Sequence, residues 1–252
     1  MTHVVILGSS NAVATDGHEN THLAVVGRER TILVDCVGSP VVRLERAGIA
    51  LTSVSDIILT HFHPDHVSAI PLLLMDMWLL DRQKPIMLHG LAYTLDRIET
   101  MMDLFGSSKW PGFYPVKYHR LEGRELESTV TTESFRILCS PVRHLIPTIG
   151  IRIESRDSGK VLAYSCDTEP CPEVVHLAGG ADVLLHEAAG EARGHSSAAQ
   201  AGEIAQRAEA YRLVLIHYAT GKHAHGDPRR EAAAAFSGEI TLAEDLMEFE
   251  LT

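Results

Sequence analysis

The sequence predicts an α/β domain, and three observations support that fold class. Apolar runs of strand length recur along the chain, and segments with helical spacing of apolar residues separate them. Apolar residues make up 45% of the 252 residues and charged residues 22%, an ordinary globular composition with ample material for a core. Several apolar runs end in a histidine or an acidic residue. We therefore expect one domain over residues 1–252, with a site along one edge of its sheet.

The individual elements follow from local patterns. Short apolar runs bounded by polar or glycine-rich turns predict strands over residues 4–8, 22–26, 31–35, 57–59, 86–89, 129–138, 149–154, 160–164, 182–185 and 213–216. Apolar residues at helical spacing predict helices over residues 40–47, 67–81, 93–104, 173–178 and 196–210. Gly48 ends the first helix, since glycine is a common helix terminator. The segment 67–81 is rich in Leu and Met, which favours a buried helix or a homodimer contact.

A loop over residues 106–115 concentrates aromatic residues. Trp110, Phe113 and Tyr114 lie in it among glycine and proline. Packing beneath the loop is the favoured interpretation, and lining of a substrate mouth is the alternative.

The densest group of chemistry-bearing residues follows the strand over residues 57–59. The chain there reads Thr-His-Phe-His-Pro-Asp-His and places His61, His63, Asp65 and His66 within six positions. Alternate residues of an extended segment point the same way, so the first two imidazoles can share one ion. Pro64 restricts the local backbone conformation, and a bend after it can direct Asp65 and His66 to a second position. The loop therefore predicts two adjacent cations, and imidazole with carboxylate suits zinc, iron or manganese.

Residues far along the chain complete the predicted site: Asp167 and His217 follow apolar runs, and His144 is a distant third imidazole for the first ion. The first ion would bind the first two loop histidines and His144, and the second would bind Asp65, His66 and His217. Asp167 is the candidate bridging carboxylate, because two cations about 3.5–4 Å apart need a shared negative charge. A hydroxide clamped between the ions, from water whose pKa is lowered towards roughly 7, is the expected nucleophile.

Charge and cysteine content indicate which partners and which cellular compartment to expect. The net charge of −11 argues against a broad basic surface that binds phosphates, so the composition argues against nucleic acid as a partner. The N-terminus has no basic region before its short apolar run, and no apolar stretch is long enough for a membrane span. Four scattered cysteines predict free thiols in the cytoplasm. Cys166 and Cys171 flank Asp167, but a cysteine metal site is disfavoured without a second cysteine pair.

The motif Thr60 to His66, followed in order by His144, Asp167 and His217, resembles the metallo-β-lactamase superfamily. Within it, the chain is most similar to ribonuclease Z and its relatives. Further similar segments are residues 7–10 with 20–21, 144–153, 186–189 with 194–197, and 215–218. The resemblance covers most of the chain and implies a four-layer αββα sandwich, two divalent metal ions with zinc preferred, and phosphodiester cleavage.

The same resemblance implies catalytic residues besides the metal ligands. Asp65 would orient or deprotonate the nucleophile. His195, held by Glu187, would be the general acid, and an imidazole paired with a carboxylate suits protonation of a departing alkoxide. The alternative for His195 is a helix N-cap. His186 is expected to face the other side of the sheet and to be structural.

One departure from the family affects the predicted substrate. Ribonuclease Z carries a long, basic and glycine-rich arm that grips tRNA, commonly between the third ligand histidine and the bridging aspartate. Here only 22 residues separate His144 from Asp167, enough for one hairpin. The sequence therefore predicts a small or cyclic phosphodiester as substrate.

The same residues are compatible with other functions. A lactone or thioester hydrolase would use the same loop, and a tRNA 3′-processing endonuclease without its arm is a further alternative. A non-catalytic binding protein is disfavoured because the proposed ligands and proton donor are all present. His223, His225 and Asp227 could form an accessory metal site, although an exposed turn is the favoured interpretation.

Overall fold

Two seven-stranded mixed sheets lie face to face in the computed structural model, which describes residues 2–252. The first sheet has the order β14 (Glu248–Glu250), β1 (His3–Gly8), β2 (His22–Val26), β3 (Thr31–Val34), β4 (Val54–Ile58), β5 (Ile86–Leu91) and β6 (Val116–Leu121). The second has the order β13 (Glu239–Leu242), β12 (Arg212–Ile216), β11 (Val183–Glu187), β10 (Val161–Tyr164), β9 (Thr148–Ser155), β8 (Phe135–Val142) and β7 (Glu127–Thr131). Strands β3 to β6 are parallel, as are β10 to β13.

The described residues also form seven α-helices, which pack on the outer faces of the sheets. They are α1 (Pro40–Arg46), α2 (Pro64–Val67), α3 (Ile70–Leu79), α4 (Ala92–Leu104), α5 (Pro172–Leu177), α6 (Ala198–Arg207) and α7 (Pro228–Ala232). The first four share a core with the first sheet, and the last three share one with the second.

A third core fills the space between the two sheets. Ile58 of the first sheet and Ile151 and Ile216 of the second are among its fully buried members. Strands buried on both faces read as continuous apolar runs, which explains why the sequence marked them so clearly. The four layers confirm the predicted αββα sandwich.

Two predicted elements differ from the structure. The helix expected over residues 67–81 begins only at Ile70, because α2 forms a separate turn before it and Pro71 suits the first turn of a new helix. The run over residues 129–138 is divided between β7 and β8, since Thr132 and Phe135 close a turn between them. The hairpin expected between residues 149 and 164 forms as β9 and β10.

The aromatic loop packs against α3, as favoured. Trp110 stacks on Trp78 with 5.2 Å between ring centroids, and the Tyr114 hydroxyl donates to the carbonyl of Leu74. Leu79 and Leu80 at the end of α3 are largely exposed, so the homodimer contact expected at this helix stays a prediction. Within residues 2–252, no helix combines the length and the apolarity needed to cross a bilayer.

His22 in β2 makes folding sensitive to acid. The side chain is buried, and its Nδ1–H donates to the carbonyl of Asn20 at 2.8 Å. Burial lowers the pKa of His22 from its ordinary 6.5 to about 4. The unfolded chain therefore binds a proton at His22 more tightly than the folded protein does. The contribution of the neutral, buried His22 to the free energy of unfolding is complete above about pH 6.5 and is lost as the pH falls towards 4.

We expect His22→Asn to reduce this sensitivity, because the amide can still donate to Asn20 but cannot take up a proton. The drop in free energy of unfolding between about pH 7.5 and about pH 5 should shrink by about 2 kcal/mol. Urea titrations at the two pH values measure it. His225→Asn is the control, because His225 is exposed and should leave the drop unchanged. An unchanged drop in His22→Asn would contradict the assignment.

Candidate metal centre

The candidate metal centre lies at the edge where parallel strands of both sheets end. Four ligand-type residues follow β4, and single ones follow β8, β10 and β12. The residues concerned are His61, His63, Asp65, His66, His144, Asp167 and His217, the seven that the sequence predicted as metal ligands. The structure thus brings four separated segments of the chain to one place.

The first group of side chains consists of three imidazoles. Nδ1 of His63 lies 3.0 Å from Nε2 of His61 and 3.2 Å from Nε2 of His144. Three ring nitrogens that converge this closely cannot all carry protons, and neutral imidazole nitrogens are good ligands for a divalent cation. Nδ1–H of His144 donates to the carbonyl of Gly194, which leaves Nε2 as its free lone pair.

The second group contains two carboxylates and two imidazoles. Oδ2 of Asp167 lies 3.4 Å from Nε2 of His217 and 3.5 Å from Nε2 of His66, and Oδ2 of Asp65 lies 3.6 Å from the latter atom. Nε2 of His66 and Oδ1 of Asp167 are buried, and no described residue forms a hydrogen bond with either. Buried polar atoms without partners carry a large energetic cost, and a divalent cation would remove it. The donor set therefore fits a bound metal.

Charge inside the centre is arranged around Asp167. Burial alone would raise the pKa of Asp167, but the imidazoles of His217 and His66 lower it well below its ordinary value. Burial lowers the pKa of His217 to about 4, which favours the neutral, ligating form. His66 differs, because Asp167 and Asp35 overcome burial and raise its pKa well above the ordinary value. A cation bound at His66 would have to displace that proton.

A buried carboxylate behind the centre holds one ligand of each group. Oδ2 of Asp35 accepts from Nδ1–H of His66 at 2.8 Å and from the hydroxyl of Thr60 at 2.7 Å. The Thr60 hydroxyl lies 3.1 Å from Nδ1 of His61, so the same network fixes Nε2 as the free nitrogen of both histidines. In the sequence, Asp35 is only the acidic residue that ends the strand expected over residues 31–35.

Replacing Asp35 by asparagine should therefore weaken metal binding without removing a ligand. An amide cannot orient both imidazoles as hydrogen-bond donors, and loss of such support typically lowers metal affinity about 10–100-fold. Competition with a chromogenic chelator measures the affinity. Asp157→Asn, in the exposed β9–β10 turn, is a matched control that should bind metal like the wild type. Equal affinities in the two variants would contradict the role given to Asp35.

A histidine–carboxylate pair lies beside the centre, as the sequence predicted. Nδ1–H of His195 donates to Oε1 of Glu187 at 2.9 Å. Glu187 is fully buried and also accepts from the backbone N–H groups of Thr168, Ser196 and Ala189. Because Nδ1 is occupied, Nε2 is the His195 atom that can exchange a proton with a substrate.

The environment raises the pKa values of both partners. Burial raises the pKa of Glu187 to about 7, and the hydrogen bond to Glu187 raises the pKa of His195.

The His195 ring lies 4.9 Å from that of His144 and 6.1 Å from that of His217, centroid to centroid. His195 is not a helix cap, because the Ser197 side chain caps α6 together with Gln200. These features suit a general acid.

Other ligand-type residues take no part in the two groups. His186 is buried, and its Nδ1–H donates to the carbonyl of Glu187. His223 and His225 are exposed and belong to no cluster of ligand-type side chains within residues 2–252, while Asp227 caps α7. Among the cysteines, Cys166 places its Sγ 3.6 Å from Nδ1 of His61, a contact that the sequence gave no reason to expect.

Comparison with known proteins agrees with this geometry. Residues 30–218 match the family described as Beta-lactamase superfamily domain. The chain belongs to the metallo-β-lactamase superfamily. A ribonuclease Z from Mycobacterium sp. (strain KMS) is 32% identical over 100% of this chain and 96% of its own length. The chain therefore lies in the ribonuclease Z-like branch, which confirms the resemblance found in the sequence.

Solved structures support the same superfamily fold. The metallo-β-lactamase fold protein YhfI from Bacillus subtilis superposes with a TM-score of 0.83 at 20% identity, covering 98% of each chain. The short form of human tRNase Z superposes with a TM-score of 0.77 at 24% identity, covering 99% of each chain. The protein is a metal-dependent hydrolase of this superfamily. Its relatives support phosphodiester hydrolysis as the reaction class and do not favour the lactone or thioester alternative.

The expectation that nucleic acid is an unlikely partner is wrong. The Mycobacterium relative, which matches this chain along its whole length, is a ribonuclease. The human structure that superposes on this chain is a tRNase. The net charge of −11 is a sum over the entire surface, so it does not describe the edge where the imidazoles converge. A charge argument made on the whole chain therefore could not exclude RNA.

Proposed function

We propose that this superfamily member is a phosphodiesterase that binds two divalent cations, with zinc preferred, and acts on small or cyclic phosphodiesters. One observation carries the proposal: Oδ2 of Asp167 lies between 3.4 and 4.0 Å from Nε2 of four histidines that belong to both ligand groups, His217, His66, His61 and His144. A shared carboxylate oxygen is what a pair of neighbouring cations requires. When bound, the cations would polarise the phosphodiester and provide an activated water at neutral pH.

The chain's own residues would then have distinct roles. The Asp65 carboxylate is slightly exposed beside the second ligand group, where it can accept a hydrogen bond from the attacking water. His195 would donate a proton from Nε2 to the departing oxygen, and Glu187 would hold its Nδ1–H and stabilise the charged ring. Glu187 is shielded from water, which strengthens that interaction.

The preference for small substrates rests on the segment between His144 and Asp167. It contains β9, a turn and β10 and no further element. RNA cleavage is a second candidate function, and the ribonuclease Z relative matched over the whole chain favours it. Both functions use the same ligands and proton donor, so only substrate length separates them.

A substrate panel with the zinc-loaded protein tests the proposal. It contains bis(p-nitrophenyl) phosphate, 2′,3′- and 3′,5′-cyclic nucleotides, a precursor tRNA and an acyl lactone. We expect turnover of the phosphodiesters and none of the lactone. Cleavage of the precursor tRNA with inert small substrates would support the second function, whereas hydrolysis of the lactone alone would contradict both. Metal analysis of the same preparation should give two ions per chain.

A further inference from the structure

Leu145 is a large apolar side chain at the rim of the candidate metal centre. It follows His144 directly, yet 52% of its surface is exposed. Burying apolar surface is favourable, so a leucine left open beside a site has surface to offer to a ligand.

The contacts of Leu145 place it beside the proton donor. A Cβ atom added to Gly194 would lie 2.8 Å from Cγ of Leu145 and 2.9 Å from Nδ1 of His144. The Leu145 side chain therefore lies against the backbone of Gly194, and the next residue is His195. Gly194 also adopts a positive φ of 86°, so both its conformation and this close approach favour glycine. The leucine therefore lies beside the backbone segment that carries His195.

The proposed chemistry defines which part of a substrate comes to this place. As the bond between phosphorus and the departing oxygen breaks, the electron pair stays on that oxygen, which must be within hydrogen-bond reach of His195 Nε2 to receive its proton. The leaving group therefore lies beside His195. We propose that Leu145 contacts an apolar or aromatic leaving group and so selects phosphodiesters that carry one. The inference rests on the proposed phosphodiesterase function and adds its substrate preference.

Two model substrates test whether Leu145 contacts the leaving group or the group that stays on the phosphorus. Bis(p-nitrophenyl) phosphate and methyl p-nitrophenyl phosphate share an aromatic leaving group and differ in the group that stays. Leu145→Ala should raise KM about tenfold for both substrates and leave kcat unchanged, because the contact stabilises bound substrate and transition state equally. Leu145→Met should restore KM, since methionine is apolar and of similar volume. Leu104→Ala is the control, because Leu104 is 83% exposed at the end of α4.

The outcomes separate this inference from the function beneath it. Turnover by the wild type with an unchanged KM in Leu145→Ala would overturn the inference alone. A rise in KM for bis(p-nitrophenyl) phosphate only would place the leucine on the other side of the phosphorus and would also overturn it. Wild-type protein that is inert towards both substrates and the wider panel would remove the proposed function and the inference together. Metal content and melting temperature of each variant confirm an intact centre.

Discussion

Asp167→Ala should abolish metal loading and hydrolysis together. The substitution removes the one oxygen that approaches both ligand groups, so neighbouring cations would repel each other without a shared negative charge. Metal ions supply several kcal/mol of transition-state stabilisation, and each 1.36 kcal/mol is a factor of ten in rate. We therefore expect turnover of bis(p-nitrophenyl) phosphate to fall by about 10³-fold or more. Metal analysis after dialysis should find essentially no bound metal.

The same result should follow for His63→Ala, which removes the imidazole at the middle of the first group. Asp157→Ala is the control for both variants. Asp157 lies in the β9–β10 turn, where it forms an exposed ion pair with Arg28 and contributes to neither ligand group. A folded Asp167→Ala protein that retained two ions would disprove the bridging role. If that variant does not fold, Asp167→Asn keeps the side-chain volume and allows the same measurement.

The convergence of these side chains was predictable in part, because the loop over residues 61–66, Asp167 and His217 follow apolar runs of strand length. Parallel strands align their carboxyl ends, so residues at those ends meet whatever the length of the connecting segments. His144 and His217 lie 73 positions apart, and the structure places both beside the loop histidines at this edge. The αββα layers, in contrast, came from the resemblance to a family, since periodicity cannot say how strands divide between two sheets.

Features that depend on backbone conformation were not predictable in this way. Asp35, Cys166 and His217 all have positive φ, between 53° and 62°, at or just past the ends of β3, β10 and β12. This left-handed conformation costs a non-glycine residue of order 1 kcal/mol or more, and it turns the side chain sharply relative to the strand. The sequence gives no sign of such a turn at an aspartate, a cysteine or a histidine. The link from Asp35 to His66 and the approach of Cys166 to His61 both follow from it.

Substrate preference was the part that the sequence predicted least well. The ligands and the proton donor act on the phosphodiester group itself, which small molecules and RNA share. Preference must come from the rim, where side chains such as Leu145 have no pattern that separates them from ordinary surface residues. Length, charge and motif therefore determine the reaction class but do not determine what is attached to the phosphate.

His195→Ala should keep its metal and lose most of its rate. His195 donates to Glu187 and belongs to neither of the two groups that contain the loop ligands, so the two-ion stoichiometry should not change. Loss of a positioned general acid typically slows turnover by about 10²–10⁴-fold. Turnover of a cyclic nucleotide and metal content, measured on the same preparation, test both halves of this expectation. His225→Ala, at an exposed position, is the control.

The size of the loss should depend on the leaving group, and this dependence identifies the role of His195. A ribose alkoxide is a strong base and needs a proton as it departs, whereas p-nitrophenolate is stable as an anion near neutral pH. His195→Ala should therefore slow cyclic nucleotides by the full factor of about 10²–10⁴ and bis(p-nitrophenyl) phosphate far less. Equal losses on both substrates would mean that His195 positions the phosphodiester or the metal centre and does not donate the proton. Glu187→Gln should show the same pattern in weaker form, because the glutamine cannot stabilise the charged imidazole.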